Sequence, residues 1–240
     1  MMQIISTKPV NHGSHFRAHV LRGYQQKINP FIAVDHAWMS GPTFPPHPHA
    51  GFSAVSYVFL DSEVGIDNQD STGIKNLIKP GGLHWAVAGK GIVHEEVPAE
   101  LGKTVHQLQI FVDLPEAKRW MEPLALTLEA EDVPCVKVSG AKVRIPVGEF
   151  NGMKSQLTTP TDVTILDITL EASASIDLTV KAGTNAFVLP VSGEFSIGNH
   201  TFSLAEQNVP VFSSQTGDQT ITVTASGSGA KVMFFSGQPL

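Results

Sequence analysis

The chain is poor in several of the residues on which common chemistries depend. Its 240 residues include a single cysteine, Cys135. That excludes an internal disulfide framework and any multi-cysteine zinc or iron–sulfur centre. Scarce thiols fit a reducing compartment, and the expected location is cytoplasmic. Charged residues make up only 16% of the chain, but hydrophobic residues reach 42%, so extended disorder is not expected. No apolar run approaches the roughly 18 residues of a membrane-spanning helix. The opening MMQIISTKPV lacks the apolar stretch of a secretory signal. Lysine and arginine total 16 against 22 acidic residues, a net charge of −6, which argues against a nucleic-acid binder that works through a basic face.

What is present is unevenly distributed. Residues 1–120 hold 10 basic and 10 acidic groups, whereas residues 121–240 hold 6 and 12. Nine of the ten histidines and all three tryptophans fall in the first half. The chemistry is therefore expected there.

Twenty-one glycines and 16 prolines punctuate the chain. Between them lie short runs rich in β-branched and aromatic residues: 52–60, 75–80, 84–89 and 106–114, then 163–172, 175–183, 185–193, 194–199, 209–214, 220–226 and 230–237. Such runs, bounded by Gly, Asn, Asp and Pro, are strands of an all-β sandwich or barrel. Residues 115–121 alone read as helical, with Pro115 suited to a first turn. A charged, turn-forming zone at 129–140 separates two strand-rich halves. The boundary is placed at 133, giving domains 1–133 and 134–240, the second readable as a further copy of the same barrel.

The strongest local signal is Phe44-Pro45-Pro46-His47-Pro48-His49-Ala50-Gly51-Phe52. In an extended segment residues i and i+2 share a face, so His47 and His49 can present two imidazoles together. Further on, Gly89-Lys90-Gly91-Ile92-Val93-His94-Glu95-Glu96 pairs His94 with Glu96 in the same way. On neighbouring strands these pairs could converge three imidazoles and one carboxylate, a set that suits Fe(II), Mn(II), Ni(II), Cu(II) or Zn(II). The same pairs are also compatible with surface or hydrogen-bonded histidines. Other motifs fail: the His94 segment lacks the second histidine of a zincin helix, and Gly102-Lys103-Thr104 lacks the first glycine of a phosphate loop. Cys135 reads as a buried apolar residue, His106 as a satisfied strand histidine and His84 as a packing residue.

With these landmarks the sequence resembles the pirin family of bicupins. The match runs from Asn29-Pro30-Phe31 and Val34-Asp35 through the His47 segment and Val55-Ser56-Tyr57. It continues through Asp70-Ser71, Pro80-Gly81-Gly82-Leu83-His84-Trp85, His94-Glu95-Glu96 and residues 106–115, and ends at Gly237-Gln238-Pro239-Leu240. The resemblance implies two stacked cupin barrels of jelly-roll type. The N-terminal barrel would bind one metal, usually iron, through His47, His49, His94 and Glu96, and the C-terminal barrel would be metal-free. It further implies either quercetin 2,3-dioxygenase-type cleavage of a flavonol or similar planar enol with O2, or a metal-containing regulator that binds another protein. For the enzyme, Glu96 is the candidate catalytic proton acceptor, and Phe52 and Trp85 are the candidate apolar wall for the substrate. A monomer is expected, because two stacked barrels can cover each other's apolar faces. The sequence departs from the family pattern at Ala50 (typically arginine), Ser53 (often glutamate), Asn68 (histidine), Gly82 (aspartate) and Phe111 (tryptophan). None of these is a predicted ligand, but the loss of charge beside the site bears on its substrate.

Overall fold

A computed structural model describes residues 2–240. Strand β1 is Met2–Ser6, β2 Lys8–His12, β3 Phe16–Arg22, β4 Phe31–Met39, β5 His47–His49 and β6 Phe52–Val58. They are followed by β7 Ile66–Asp70, β8 Lys75–Ile78, β9 Leu83–Val87, β10 Ile92–Pro98, β11 Val105–Asp113 and β12 Leu124–Leu128. Ten further strands occupy 135–237. The expected helix at 115–121 is reduced to a 3-10 turn, Glu116–Lys118. No helix among the described residues is long and apolar enough to cross a membrane.

The chain forms two compact units, both of cupin type. The first comprises residues 8–23 and 31–133, and the second residues 134–239 together with 2–7 and 24–30. The sequence grouped all residues up to 133 with the N-terminal barrel. The structure instead pairs β1 antiparallel with Asn208–Phe212, and it seats the helical turn Gln25–Ile28, with Ile28 fully buried, in the second unit. Pairing across some 200 residues leaves no local trace in the sequence.

The first unit is built from a seven-stranded sheet, in the order β12-β9-β6-β11-β4-β3-β2, and a four-stranded sheet, in the order β5-β10-β7-β8. The second unit encloses a core that includes Val143, Ile168, Val188, Phe195, Phe202 and Phe234. Its runs at 185–193 and 194–199 fuse into one strand, Asn185–Ile197, and those at 220–226 and 230–237 into another, Gln219–Gly237. Gly193 explains why no turn interrupts them. It has φ +70°, and a Cβ there would run into the carbonyl of Gly229. The glycine serves a register shift between the paired strands, not a chain reversal. Cys135 is exposed, contrary to the buried position expected. It shares a strand face with Lys137, and the partly buried Val136 and Val138 take the other.

Candidate metal centre

Antiparallel register puts directly opposed residues on the same face. On the four-stranded sheet His47 opposes His94, and His94 opposes Asp70. Glu96 opposes Asn68, which in turn opposes Asn76. The two-residue period then places His47, His49, His94, Glu96, Asp70 and Asn68 on one face. On the seven-stranded sheet Asp35, Gln109, Ser56 and His84 form one cross-strand row. The rows meet where the Ser56 Oγ lies 2.6 and 2.8 Å from the two carboxylate oxygens of Glu96.

Three imidazoles converge. Ligand nitrogens of His47, His49 and His94 all lie within 4.8 Å of one another. Their ring centroids are 4.8, 4.8 and 4.7 Å apart, and the Nε2 atoms of His49 and His94 approach to 2.9 Å. His47 Nδ1 lies 3.0 Å from the Pro45 carbonyl. That oxygen can only accept, so Nδ1 carries a proton, and in the neutral ring Nε2 is then the nitrogen with the lone pair. Burial, then the neighbouring His94 and His47, push the pKa of His49 down to about 3. Burial and then His47 push that of His94 down to about 4, against a smaller upward pull from Asp70. At neutral pH His49 and His94 are therefore uncharged nitrogen donors, grouped with His47 in one cluster. That donor chemistry fits a divalent transition metal.

Glu96 is buried, and its carboxylate is turned to Ser56 and lies outside the three-histidine cluster. Burial raises its pKa; the Ser56 hydroxyl and, more weakly, His84 and His47 pull it back. Behind it, Asn68 donates to Asn76 Oδ1 at 2.9 Å, and the buried His84 lies 3.4 Å from the Asn68 amide. Asn68, standing where the family carries a histidine, thus flanks Glu96.

His47, His49 and Glu96 line a cavity of about 420 Å³. Its apolar wall includes Val10, Phe16, Val20, Met39, Phe44 and Phe111. Its polar lining includes Gln107, Gln109 and an ion pair in which Arg22 donates through Nε (3.0 Å) and Nη2 to the buried carboxylate of Asp35. The aromatic wall corrects the sequence reading. Trp85 is fully buried and does not line the cavity. It opposes Val55, which opposes Ile110, a row on the far face of the seven-stranded sheet from Ser56. Phe52 does share the Ser56 face but sits behind the lining, packed on His49 and Phe111 with centroids 5.3 Å away in each case. Ser53 also lies on the far face and is fully buried, so its departure from the family pattern leaves the site's charge unaltered. None of Ser56, Gln109, Arg22 and Asp35 is a site candidate in the sequence reading, although Asp35 and Ser56 lie in its family landmarks. The available signal was a polar residue at alternate positions of otherwise apolar strands.

The remaining histidine pair lies elsewhere. His36 and His106 approach to 2.7 Å through their Nε2 atoms, and His106 Nδ1 lies 2.9 Å from Asp61 Oδ1. The strand histidine is thus satisfied, as its alternation with Leu108 and Ile110 suggested.

A β-barrel unit that brings together histidines from a His-x-His strand and its partner is a cupin-type fold with a cluster able to hold a metal ion. Comparisons with known proteins narrow the class. Residues 12–112 match the pirin family model and residues 165–240 the pirin C-terminal cupin domain. The chain is 32% identical over 234 residues to pirin-like protein 2 of Arabidopsis thaliana, covering 95% of this chain and 71% of the relative. It is 36% identical over 176 residues to another Arabidopsis pirin-like protein, covering 72% of this chain but just over half (56%) of that relative's length. The chain belongs to the pirin family. Among solved structures, GK1651 from Geobacillus kaustophilus superposes with a TM-score of 0.88 at 26% identity, covering 99% and 95% of the two chains. A quercetin 2,3-dioxygenase from Acinetobacter baumannii gives 0.85 at 24%, covering 99% and 86%. The bacterial pirin YhhW from Escherichia coli, in complex with nickel(II), gives 0.77 at 18% over the whole of both chains. The last two share the fold.

Proposed function

We propose that this pirin is a metal-dependent dioxygenase, with iron as the preferred ion, that opens a flavonol or a similar planar enol using dioxygen as the oxidant. The observation that carries the reading is the convergence of three imidazoles, two of which, His47 and His49, line a largely apolar cavity. Cavities of that size, with few polar groups, suit small-molecule ligands. The same fold occurs in a quercetin 2,3-dioxygenase and in a bacterial pirin in complex with nickel(II), which supports the reaction class and a bound divalent metal.

A divalent ion held by His47, His49 and His94, with Glu96 as a further carboxylate donor, would supply Lewis acidity to the enol oxygens and redox chemistry to dioxygen. The protein's own groups do the rest. Phe16, Phe44 and Phe111 provide flat apolar surface for a planar ring system and keep water away from it. Glu96 accepts the enol proton at a carboxylate oxygen. Burial makes it a stronger base than an exposed glutamate. The Ser56 hydroxyl, itself 3.2 Å from the Gln109 side-chain amide oxygen Oε1, keeps that carboxylate oriented.

The test is metal analysis of protein purified without chelator, followed by oxygen-dependent loss of flavonol absorbance. About one iron per chain and bleaching of at least one flavonol are expected, both lost in a His47→Ala, His94→Ala double variant. Bound iron with no turnover across a panel of flavonols would refute the dioxygenase. Absence of any metal would refute the centre itself.

A further inference from the structure

Two directly opposed residues beside the histidine cluster each carry a buried polar atom without a hydrogen bond, one an acceptor and one a ring nitrogen. Asp70 of β7 directly opposes His94 of β10. Its Oδ1 is committed to the following turn: it accepts from the Thr72 backbone N–H at 2.8 Å, the Thr72 hydroxyl at 2.6 Å and the Ile74 N–H at 3.3 Å. Asp70 Oδ2 is buried with no partner, and so is His94 Nδ1, among the described residues. The turn therefore occupies one carboxylate oxygen and leaves the other free, on a residue whose register puts it on the same sheet face as the cluster. His47 shows what an outer nitrogen does here, since its Nδ1 donates to the Pro45 carbonyl. His94 has no carbonyl in that role, and the acidic group opposite it is Asp70.

We propose that Asp70 is a positioning residue for His94, its Oδ2 accepting the Nδ1–H so that the Nε2 lone pair is committed to the three-histidine cluster. The inference rests on the metal-centre reading above. The logic is tautomeric. A neutral imidazole carries one N–H, and an acceptor beside Nδ1 selects the form whose Nε2 can bind a cation. Carboxylates behind metal-binding histidines also fix ring orientation, and losing one costs about 10- to 100-fold in metal affinity.

The deciding variant is Asp70→Asn. Its amide oxygen can keep the turn contacts, but its NH2 puts a donor where His94 needs an acceptor. Nickel(II) titrated into chelator-treated protein should bind about 10- to 100-fold more weakly than to wild type, with the melting temperature of the metal-free protein unchanged. Nitrogen NMR of the metal-free proteins should show His94 as the Nδ1–H tautomer in wild type and the Nε2–H tautomer in Asp70→Asn. Thr72→Val, which removes an Oδ1 partner and leaves Oδ2 untouched, should lower stability and leave nickel affinity unchanged. Wild-type nickel affinity in Asp70→Asn, an Nε2–H tautomer in wild type, or an equal loss of affinity in Thr72→Val each overturns the proposal. Wild-type protein that takes up no nickel overturns the metal reading instead, and the tautomer in the metal-free protein still decides the role of Asp70.

Discussion

Replacing Arg22 with methionine offers a sharp test of the cavity's electrostatics. The Arg22 side chain is 54% exposed and that of Asp35 only 7%, so the variant strands a buried carboxylate while its own loss of burial is small. Removing one partner of a fully buried pair costs about 3–5 kcal/mol. The exposure of Arg22 means that solvent already screens part of this interaction, and methionine keeps the apolar stem. The expected cost is therefore nearer ~2 kcal/mol at neutral pH, or about 4–8 °C in melting temperature for a chain of this size. Adding Asp35→Asn removes the stranded charge, so the double variant should be more stable than the single one. The pH dependence follows from the direction of the Asp35 shift. Burial raises its pKa, and the hydrogen bond and charge of Arg22 lower it. Without Arg22 the folded-state pKa rises further above the unfolded value of about 3.9. A carboxyl raised in this way binds a proton more readily when folded, so the folded state gains stability as pH falls through the raised pKa towards the unfolded one. The gap between Arg22→Met and the double variant should thus be widest near pH 7 and close towards pH 4, read by thermal melts across that range. A double variant no more stable than the single one at pH 7, or a gap that widens in acid, would refute the reasoning.

Three further outcomes are expected. Ser56→Ala removes the hydroxyl that donates to the buried Glu96 carboxylate, so denaturant titration should show a loss of about 1.5–3 kcal/mol; no loss would mean the carboxylate is oriented by other groups. Gly193→Ala forces a Cβ towards the Gly229 carbonyl at positive φ and should cost at least about 1–3 kcal/mol by the same measurement, whereas Gly198→Ala, also at positive φ but with open space around it, should cost less. Metal added to chelator-treated wild type at about 100 times its dissociation constant should stabilise it by roughly 2.7 kcal/mol, and His94→Ala should abolish that increment.

The candidate cluster was legible in outline because its geometry is local. His47 and His49, like His94 and Glu96, are separated by the two-residue period of a strand, so each pair had to share a face wherever its strand went. Trp85 was misjudged for the complementary reason. Its face follows from the pairing of β9 with β6, and no local pattern reveals that register when every residue of β9 is buried. Cys135 could have been placed correctly, since alternation with Lys137 marks its face as the exposed one. The Ser56–Glu96 contact spans two sheets and 40 residues, so only the folded chain shows it. The continuous strands through Gly193 and Gly229 show a further ambiguity: a glycine that punctuates a β-rich run reads equally as a turn or as a bulge, and the tie is broken by a neighbour's carbonyl.

The pairing of β1 with Asn208–Phe212 has a consequence for the order of events on the ribosome. Residues 8–133, apart from the turn at 24–30, can find every sheet partner within the first unit, so that barrel can close while the rest of the chain is still being made. The second barrel cannot. One of its edge strands leaves the exit tunnel ahead of the first barrel and must wait unpaired until its partner, some 200 residues later, has emerged. Contacts of such long sequence separation form late and slowly, and an unpaired strand invites foreign strands in the interval. Met2–Ser6 is therefore the stretch where a nascent-chain chaperone would be expected to hold on.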